Sequence, residues 1–412
     1  MLTFYKDEFS AGCKLKPNDL NGFFNGVGCE RFTDEHLGCR PLLLTRTNSD
    51  FYNDILSLND INNIFSSKRL IENDIRVFKA GKKIAYSEIS YEDRSADKSK
   101  IFELFKSGAT LVFENIGRYH LPLGQFIAHL ENEFHVRMRA NAFLTPAGSQ
   151  GFKPHFDSHD VFVLQIYGHK EWLIGNNPIE LPDDMTSETR YQAAIENSEI
   201  LATEVLKKGD LLYLPRGFVH SAKACESTSL HITISMRGHT GVDLLKKSLS
   251  QIFENSVEMR KYINHKKVFD NQSYIELLTN EIKKVQYDKL STELYQDYLL
   301  QTFPVAYQQV ERIFSPQELL HDSLLEVNPY MVWQAFYQGD FIRLIFDGKE
   351  MRLPKAAQNA LQYISEQSNF RPSELPDFDE KNALMLCEVL YSNGYLKFAE
   401  RNKLRETCRD SL

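Results

Sequence analysis

Apolar and polar positions repeat at two different periods along this chain, and the period changes near residue 236. Before that point the short runs read as strands. RPLLLTR (40–46) is a short buried strand and ATLVFENI (109–116) another, while HVRMRANAFLT (135–145) approximates strict alternation. VFVLQIY (161–167) is apolar at every other position on both faces, which suits an inner strand covered on both sides. Gly168 ends it, and HKEWLIG (169–175) opens the next strand. NDILSLNDINNIF (53–65) and LGQFIAHLENEF (123–134) instead carry helical spacing and are predicted to pack on the outside of the sheet. YEDRSADKSK (91–100) is a loop or the start of a helix. The acidic stretch 176–207 is long for a simple connection and is predicted to hold a short helix and then a strand.

After residue 236 the spacing turns helical. VDLLKKSLSQIFENSVEMRKYI (242–263), SYIELLTNEIKKV (273–285) and LYQDYLLQTFPVAYQQVERIF (294–314) place apolar residues at three- and four-residue steps, with Pro304 expected to kink or divide the third. Farther on, residues 330–354 read as two strand-like runs around turns. A helix is expected after Pro354, then a helix, an Ser-Asn-Gly turn and a final strand in ALMLCEVLYSNGYLKF (383–398). The expected organisation is a strand-rich region over 1–240, a helical one over 241–325 and a mixed one over 326–412.

Composition changes this picture little. The 412 residues are 42% hydrophobic and 25% charged, within the range of ordinary globular proteins and enough for a substantial core. A net charge of −8 argues against a general nucleic-acid binder and leaves a basic protein partner open. ALMLCEVLYS has no base, so direct DNA binding by that helix is not expected. Six cysteines (13, 29, 39, 225, 387 and 408) form no CxxC pair and suggest neither a zinc cluster nor a disulfide scaffold. The N-terminal residues lack a secretory pattern and no apolar run is long enough to span a membrane, so a reducing cytoplasm is expected.

The chemistry concentrates between Asn141 and Met236. In NAFLTPAGSQGFKPHFDSHDVFVLQIYGHKEWLIG, His155 and Asp157 stand two apart, and residues i and i+2 of a strand or its extension point the same way. His220 follows 63 residues after Asp157, in GDLLYLPRGFVH. Two imidazoles and one carboxylate hold non-haem Fe(II) on one face and leave the other open. PAGSQGFKP is a turning segment able to approach a ligand closely, without the GxxxxGK pattern of a phosphate loop. His159 and His169 are expected to be non-ligands, and His231 to point inward without ligating. Asp183, Asp184, Glu188, Glu196 and Glu199 either line the mouth of the site, favouring a basic peptide, or belong to an ordinary solvated loop.

RPLLL, the 141–172 run and GDLLYLPRGFVHSA resemble, in order, the JmjC-type ribosomal oxygenases, which are cupin-like Fe(II)- and 2-oxoglutarate-dependent protein hydroxylases. The resemblance covers about residues 30–240. It implies an α+β chain: a double-stranded β-helix (jelly roll), then a helical domain that dimerises, then a winged-helix-like domain. It implies that His155, Asp157 and His220 bind iron, that Lys170 pairs with the distal carboxylate of 2-oxoglutarate, and that Asn141 lines the pocket. Phe143 stands where a tyrosine is expected, which removes one hydrogen-bond donor. The implied reaction consumes O2 and 2-oxoglutarate and hydroxylates an arginine or histidine of a ribosomal protein. The alternatives are hydroxylation of a peptide or non-ribosomal protein, and an inactive cupin-like binding protein.

Overall fold

The computed structural model describes residues 2–6, 20–24, 26–186, 188–262, 271–302 and 318–399. Cys13, Pro304 and Cys408 lie outside the described residues. Two compact units divide the chain, Met1–Arg237 and Gly238–Leu412.

The first unit holds two facing sheets. Its strands are β1 (Thr3–Lys6), β2 (Leu42–Thr45), β3 (Ile75–Lys79), β4 (Lys82–Lys83), β5 (Thr110–Phe113), β6 (Arg137–Thr145), β7 (Asp160–Tyr167), β8 (Lys170–Gly175), β9 (Ile200–Leu206), β10 (Leu211–Leu214), β11 (His220–Ala224) and β12 (Ser229–Arg237). Nine form one sheet in the order β1-β2-β10-β7-β12-β6-β5-β3-β4, and three form the other, β11-β8-β9. All pairs but β1–β2 are antiparallel. This is the expected double-stranded β-helix in an α+β chain.

The two-faced apolar run of β7 explains how the layers are filled. Val161 and Val163 turn toward the small sheet and pack with Trp172, Ile174, Leu206, Leu212 and Leu214. Phe162, Leu164 and Ile166 turn the other way, into the larger core under the helices. Each such side chain contributes about 1.5–3 kcal/mol when fully buried, so a strand apolar on one face alone could not close both layers.

Helices α1 (Leu20–Phe23), α2 (Cys29–Glu35), α3 (Leu58–Ser67), α4 (Lys98–Lys106) and α5 (Leu121–Phe134) belong to this unit. Ser57 and Asp60 form a reciprocal capping box that starts α3 in the middle of the predicted 53–65 run. The helical stripe of α5 buries Leu123, Phe126, Ile127 and Leu130. The acidic insert contains a short helix, α6 (Gln192–Glu196), and then β9, as its pattern indicates.

In the second unit, α7 (Gly241–Asn255), α8 (Asn271–Lys283) and α9 (Tyr287–Leu300) occupy the helically patterned runs. Thr240 and Asp243 cap α7 reciprocally. Beyond them β13 (Leu325–Val327) pairs with β17 (Leu396–Phe398), and β14 (Trp333–Gln338), β15 (Phe341–Phe346) and β16 (Lys349–Pro354) make a meander. Residues 330–354 thus form three strands where the sequence suggests two. Asp347 and Gly348 both take positive φ (49° and 70°), a tight left-handed turn that splits the second apolar run into a hairpin. A short 3-10 turn after Pro354 leads into α10 (Gln358–Glu366), and α11 (Glu380–Ser392) precedes β17. These elements close over their own core of Ile342, Leu344, Phe346, Leu361, Leu386 and Leu390.

Candidate metal centre

His155 and Asp157 stand just ahead of β7, not within it. The segment before β7 runs along β11 through two isolated bridges, Gln150 with Lys223 and His155 with His220. In the second bridge the His155 N–H donates to the His220 carbonyl (3.1 Å), and the His220 N–H donates to the His155 carbonyl (2.7 Å). The backbone therefore sets the two imidazoles side by side, with ring centroids 4.5 Å apart. Two residues on, the Asp157 carbonyl accepts from Gly217 N–H (3.0 Å), and the Asp160 carboxylate accepts from Arg216 N–H (3.1 Å) and from the Tyr213 hydroxyl. Five backbone or buried side-chain bonds zip the two ligand-bearing segments together. Nothing along the chain signals this staple, because Asp160, Tyr213 and Gly217 meet only in the fold.

One ligand atom from each of His155, Asp157 and His220 lies within 4.8 Å of the other two. His155 Nδ1 is 2.8 Å from the Lys153 carbonyl and His220 Nδ1 3.0 Å from the Phe218 carbonyl. A carbonyl can only accept, so each Nδ1 carries the proton and each Nε2 presents a lone pair, the tautomer a metal requires. His220 Nε2 is 3.6 Å from Asp157 Oδ2. Burial, reinforced by the neighbouring His155, pushes the His220 pKa down to about 4. Burial would raise Asp157, yet the His220 and His155 rings hold it below the ordinary carboxylate value. The set thus presents two imidazole Nε2 positions and a carboxylate, an open hard and borderline donor face that fits a divalent metal.

Lys170 opens β8, in register with Leu206 and Ala224, and is only 4% exposed. Its ammonium donates to Thr145 Oγ1 (3.1 Å) and lies 3.4 Å from His231 Nδ1, with no carboxylate partner among the described residues. Burial pushes its pKa from the ordinary 10.5 to about 7, and burial together with the Lys170 charge drives His231 well below its usual value. A buried cation without an anion is a costly arrangement that a bound carboxylate would relieve. Trp172, two residues along the same face, stacks on His220 (6.0 Å between ring centroids) and meets His231 edge-on (5.4 Å). Its indole N–H is buried and has no hydrogen-bond partner among the described residues. The wall between the metal ligands and Lys170 thus offers two unmatched donors, which fits a small dicarboxylate.

The other anticipated residues divide. Phe143 lies on the same β6 face as Thr145 and stacks on His231 at 4.8 Å and 7°, holding that ring against Lys170. Thr145 supplies a hydroxyl at this end of the pocket, where a tyrosine is absent. Asn141 Oδ1 accepts from Asn115 N–H (2.8 Å), so its carbonyl is committed to a left-handed turn and only its amide NH2 remains for a ligand. His231 is a neighbour of Lys170, not a ligand. His159 Nδ1 lies 3.3 Å from Arg237, and the His169 carbonyl sits in the turn before β8 and accepts from Cys225. Asp184 is paired with Arg237 (2.7 Å) and accepts from Ser158 (2.7 Å), closing the insert over the loop that carries Asp157. Asp183 caps the turn at Met185 and Thr186, and Glu196 accepts from Gln192. Among the described side chains of the acidic insert, Asp184 joins the network beside the ligands. Arg137, on β6, faces Arg237 on β12 directly across the ladder, and Arg139 follows on the same β6 face.

Gly217 has φ +90°, and a Cβ there would meet the Ile179 carbonyl and lie 2.5 Å from Asn177 Oδ1. Gly217→Ala is therefore expected to push apart the segments carrying Asp157 and His220. Strain above about 1 kcal/mol and a loss of divalent-metal affinity of about 10–100-fold should result. Titration with Co(II) followed by absorbance checks this; an unchanged affinity would refute the staple.

Residues 121–244 match the JmjC domain family. The chain is 31% identical over 233 residues to Ribosomal oxygenase 1 of Danio rerio, covering 54% of this chain and 42% of that one. It is 26% identical over 433 residues to the bifunctional lysine-specific demethylase and histidyl-hydroxylase NO66 of Dictyostelium discoideum, covering 92% and 82%. The chain spans about a third to two fifths of the length of the first curated relatives it matches. The structure of the Escherichia coli ribosomal oxygenase YcfD in complex with cobalt and 2-oxoglutarate shares the fold, with a TM-score of 0.50 at 16% identity over 90% of this chain and 98% of that one.

Proposed function

We propose, for a chain that belongs to the JmjC-type ribosomal oxygenase family, that it is an Fe(II)- and 2-oxoglutarate-dependent dioxygenase hydroxylating a histidine of a ribosomal protein. The observation that carries this reading is the His155, Asp157, His220 cluster with the unmatched Lys170 ammonium in the same barrel. Iron with 2-oxoglutarate and O2 supplies the oxidising power for an unactivated C–H bond; the protein supplies position. His155 and His220 present Nε2, and Asp157 a carboxylate, from segments locked by their mutual backbone bonds. Lys170 receives the distal carboxylate of 2-oxoglutarate, Thr145 holds the ammonium in place, and the Asn141 amide lines the same β6 face. Trp172 and Phe143 wall the pocket and exclude water. The relatives' structure with cobalt and 2-oxoglutarate supports the same ligand pair here.

Two things favour histidine over arginine as target. Relatives carry histidyl-hydroxylase in their names. Arg237 also lies within electrostatic reach of Asp157, and Arg137 and Arg139 follow on the facing strand, so a guanidinium would meet like charge where a neutral imidazole would not. Arginine is the second target class. Peptide mapping of ribosomal proteins from cells with and without this gene tests both. One added oxygen on a histidine, absent in the deletion and restored only with intact His155, Asp157 and His220, is expected. Unmodified ribosomal proteins under verified expression would overturn the ribosomal part of the reading.

The protein acts as a homodimer in this proposal. Leu245, Leu249 and Phe253 form an exposed i, i+4, i+8 stripe on α7, and Ile275, Leu278 and Ile282 one on α8, while Ile252 and Ser248 turn inward. Phe253 is 63% exposed, an unusual position for a phenylalanine on a monomer. The double substitution Leu249→Asp/Phe253→Asp should halve the mass seen by light scattering without unfolding the helices; an unchanged mass would remove the stripe as the interface. The helices and strands beyond residue 326 are taken as a winged-helix-like docking domain. The cytoplasm is the proposed compartment: no described helix is long and apolar enough to cross a membrane, and Cys29, Cys39, Cys225 and Cys387 are free thiols.

A further inference from the structure

A second surface adjoins the metal centre and takes no part in the chemistry above. A cavity of about 540 Å³ opens between the β3–β4 hairpin, the turn after α4 and the loop leading to His155, lined by Lys79, Gly81, Ser107, Ser149, Gln150 and Lys153 among others, none of them acidic. The hairpin that forms one wall is KAGKK, residues 79–83. Ala80 and Gly81 both adopt positive φ (49° and 77°), which turns the chain in two residues and sets Lys82 and Lys83 on the exposed return strand. A Cβ at Gly81 would come within 2.7 Å of Lys153 Cγ, so glycine there lets the Lys153 stem lie across the hairpin. Lys106, exposed at the end of α4, stands next to the Ser107 wall.

The charge of this groove is uncompensated. Lys79 donates to a neutral acceptor, Ser107 Oγ (2.9 Å), and none of Lys79, Lys82, Lys83, Lys106 or Lys153 forms an ion pair with a described carboxylate. What sets the groove apart is clustering: five lysines from three stretches gather around a cavity without an acidic lining residue, in a chain of net charge −8. Together they make a positive potential that attracts an anionic ligand, and the neighbouring hydroxyl and amide side chains can add short-range polar contacts to it.

We propose that this groove binds the phosphate backbone of single-stranded RNA, bringing an RNA-associated protein substrate to the metal centre. The floor of the groove is the chain that carries a ligand: the Lys153 carbonyl holds His155 Nδ1, and the Phe152 ring lies 5.8 Å from the His155 ring. An RNA strand held there lies two residues from the metal site. The choice of RNA over another polyanion rests on the reading of the substrate as ribosomal; the binding itself does not depend on catalysis.

The test is fluorescence anisotropy of a short labelled oligouridylate with the full-length protein, without iron or 2-oxoglutarate. Affinity should fall steeply with salt, the logarithmic slope being about 0.7 per lysine–phosphate contact. Lys82→Glu/Lys83→Glu/Lys106→Glu, all exposed positions, should weaken binding by on the order of tenfold or more and flatten that slope. Photocrosslinks on the wild-type protein should map to residues 79–83 or 149–154. Absence of binding at low salt, crosslinks confined elsewhere, undiminished binding by the triple variant, or equal competition by a polyglutamate peptide would each overturn the proposal. Because the measurement needs no turnover, RNA binding by a protein that hydroxylates no ribosomal substrate would leave the RNA site standing and remove only its role in delivering that substrate.

Discussion

His220→Ala is expected to yield a folded protein that neither holds Fe(II) nor turns over. The fold should persist because the bonds that join the His155 and His220 segments are backbone to backbone and survive removal of the imidazole. Loss of even an outer partner of a metal ligand costs about 10–100-fold in affinity or activity, so loss of a ligand from a set of three should exceed that. The same holds for His155→Ala and Asp157→Ala. Asp157→Ala also removes the one negative charge of the set, leaving nothing to balance the metal. The decisive comparison is unfolding with and without Co(II). At a metal concentration about 100 times Kd, native protein gains about 2.7 kcal/mol and the variants gain nothing. Soluble variant protein, loaded with iron and consuming 2-oxoglutarate at the native rate, would sink the assignment.

Lys170 gives the second large effect, and it is pH-dependent. With its pKa lowered by burial to about 7, Lys170 in the ligand-free protein is mostly neutral at pH 8. Binding of a dicarboxylate favours the charged form, so the complex takes up close to one proton at that pH. Affinity for 2-oxoglutarate should therefore be flat below about pH 7 and fall by up to about tenfold per pH unit above it. Stability of the free protein runs the opposite way. Between about pH 7 and the ordinary value of 10.5, the unfolded chain binds the proton that the folded one has lost. Stability thus rises with pH across that window, and the burial penalty is fully present below it. Lys170→Met should abolish the proton uptake and weaken 2-oxoglutarate binding by about 2–5 kcal/mol, the usual result of truncating one side of a buried charge pair. It should leave Co(II) binding intact. Calorimetry in two buffers of different ionisation enthalpy reads the proton directly, and uptake unchanged in Lys170→Met would assign it to another group.

These two expectations show where the residues themselves were informative. His155 and Asp157 stood out because i and i+2 face one way, and His220 because a turn, a short apolar strand and a second turn lead into it. Lys170 required the resemblance, since a lysine after a glycine turn is commonly a solvated one. Thr145 and Trp172 continue the same two-residue period from Phe143 and Lys170 and were within reach of that rule. Asp160, Gly217 and Arg237 were not, for each acts on a segment more than fifty residues away. The lysines of the groove come from three separate stretches and look, along the chain, like ordinary solvated residues.

The local periods, and hence the strands, the helices and the change of architecture near residue 236, are written in the order of residues, because side-chain direction repeats with fixed geometry along each element. It also determined the donor types available to a metal. Tertiary structure alone decided which segments lie side by side: the His155–His220 bridge, the placing of Lys170 against Thr145 and His231, and the splitting of residues 330–354 into three strands by a left-handed turn. Pairing across a sheet depends on register between distant strands, and burial depends on everything that covers a residue. Neither is a property of any stretch of chain taken alone.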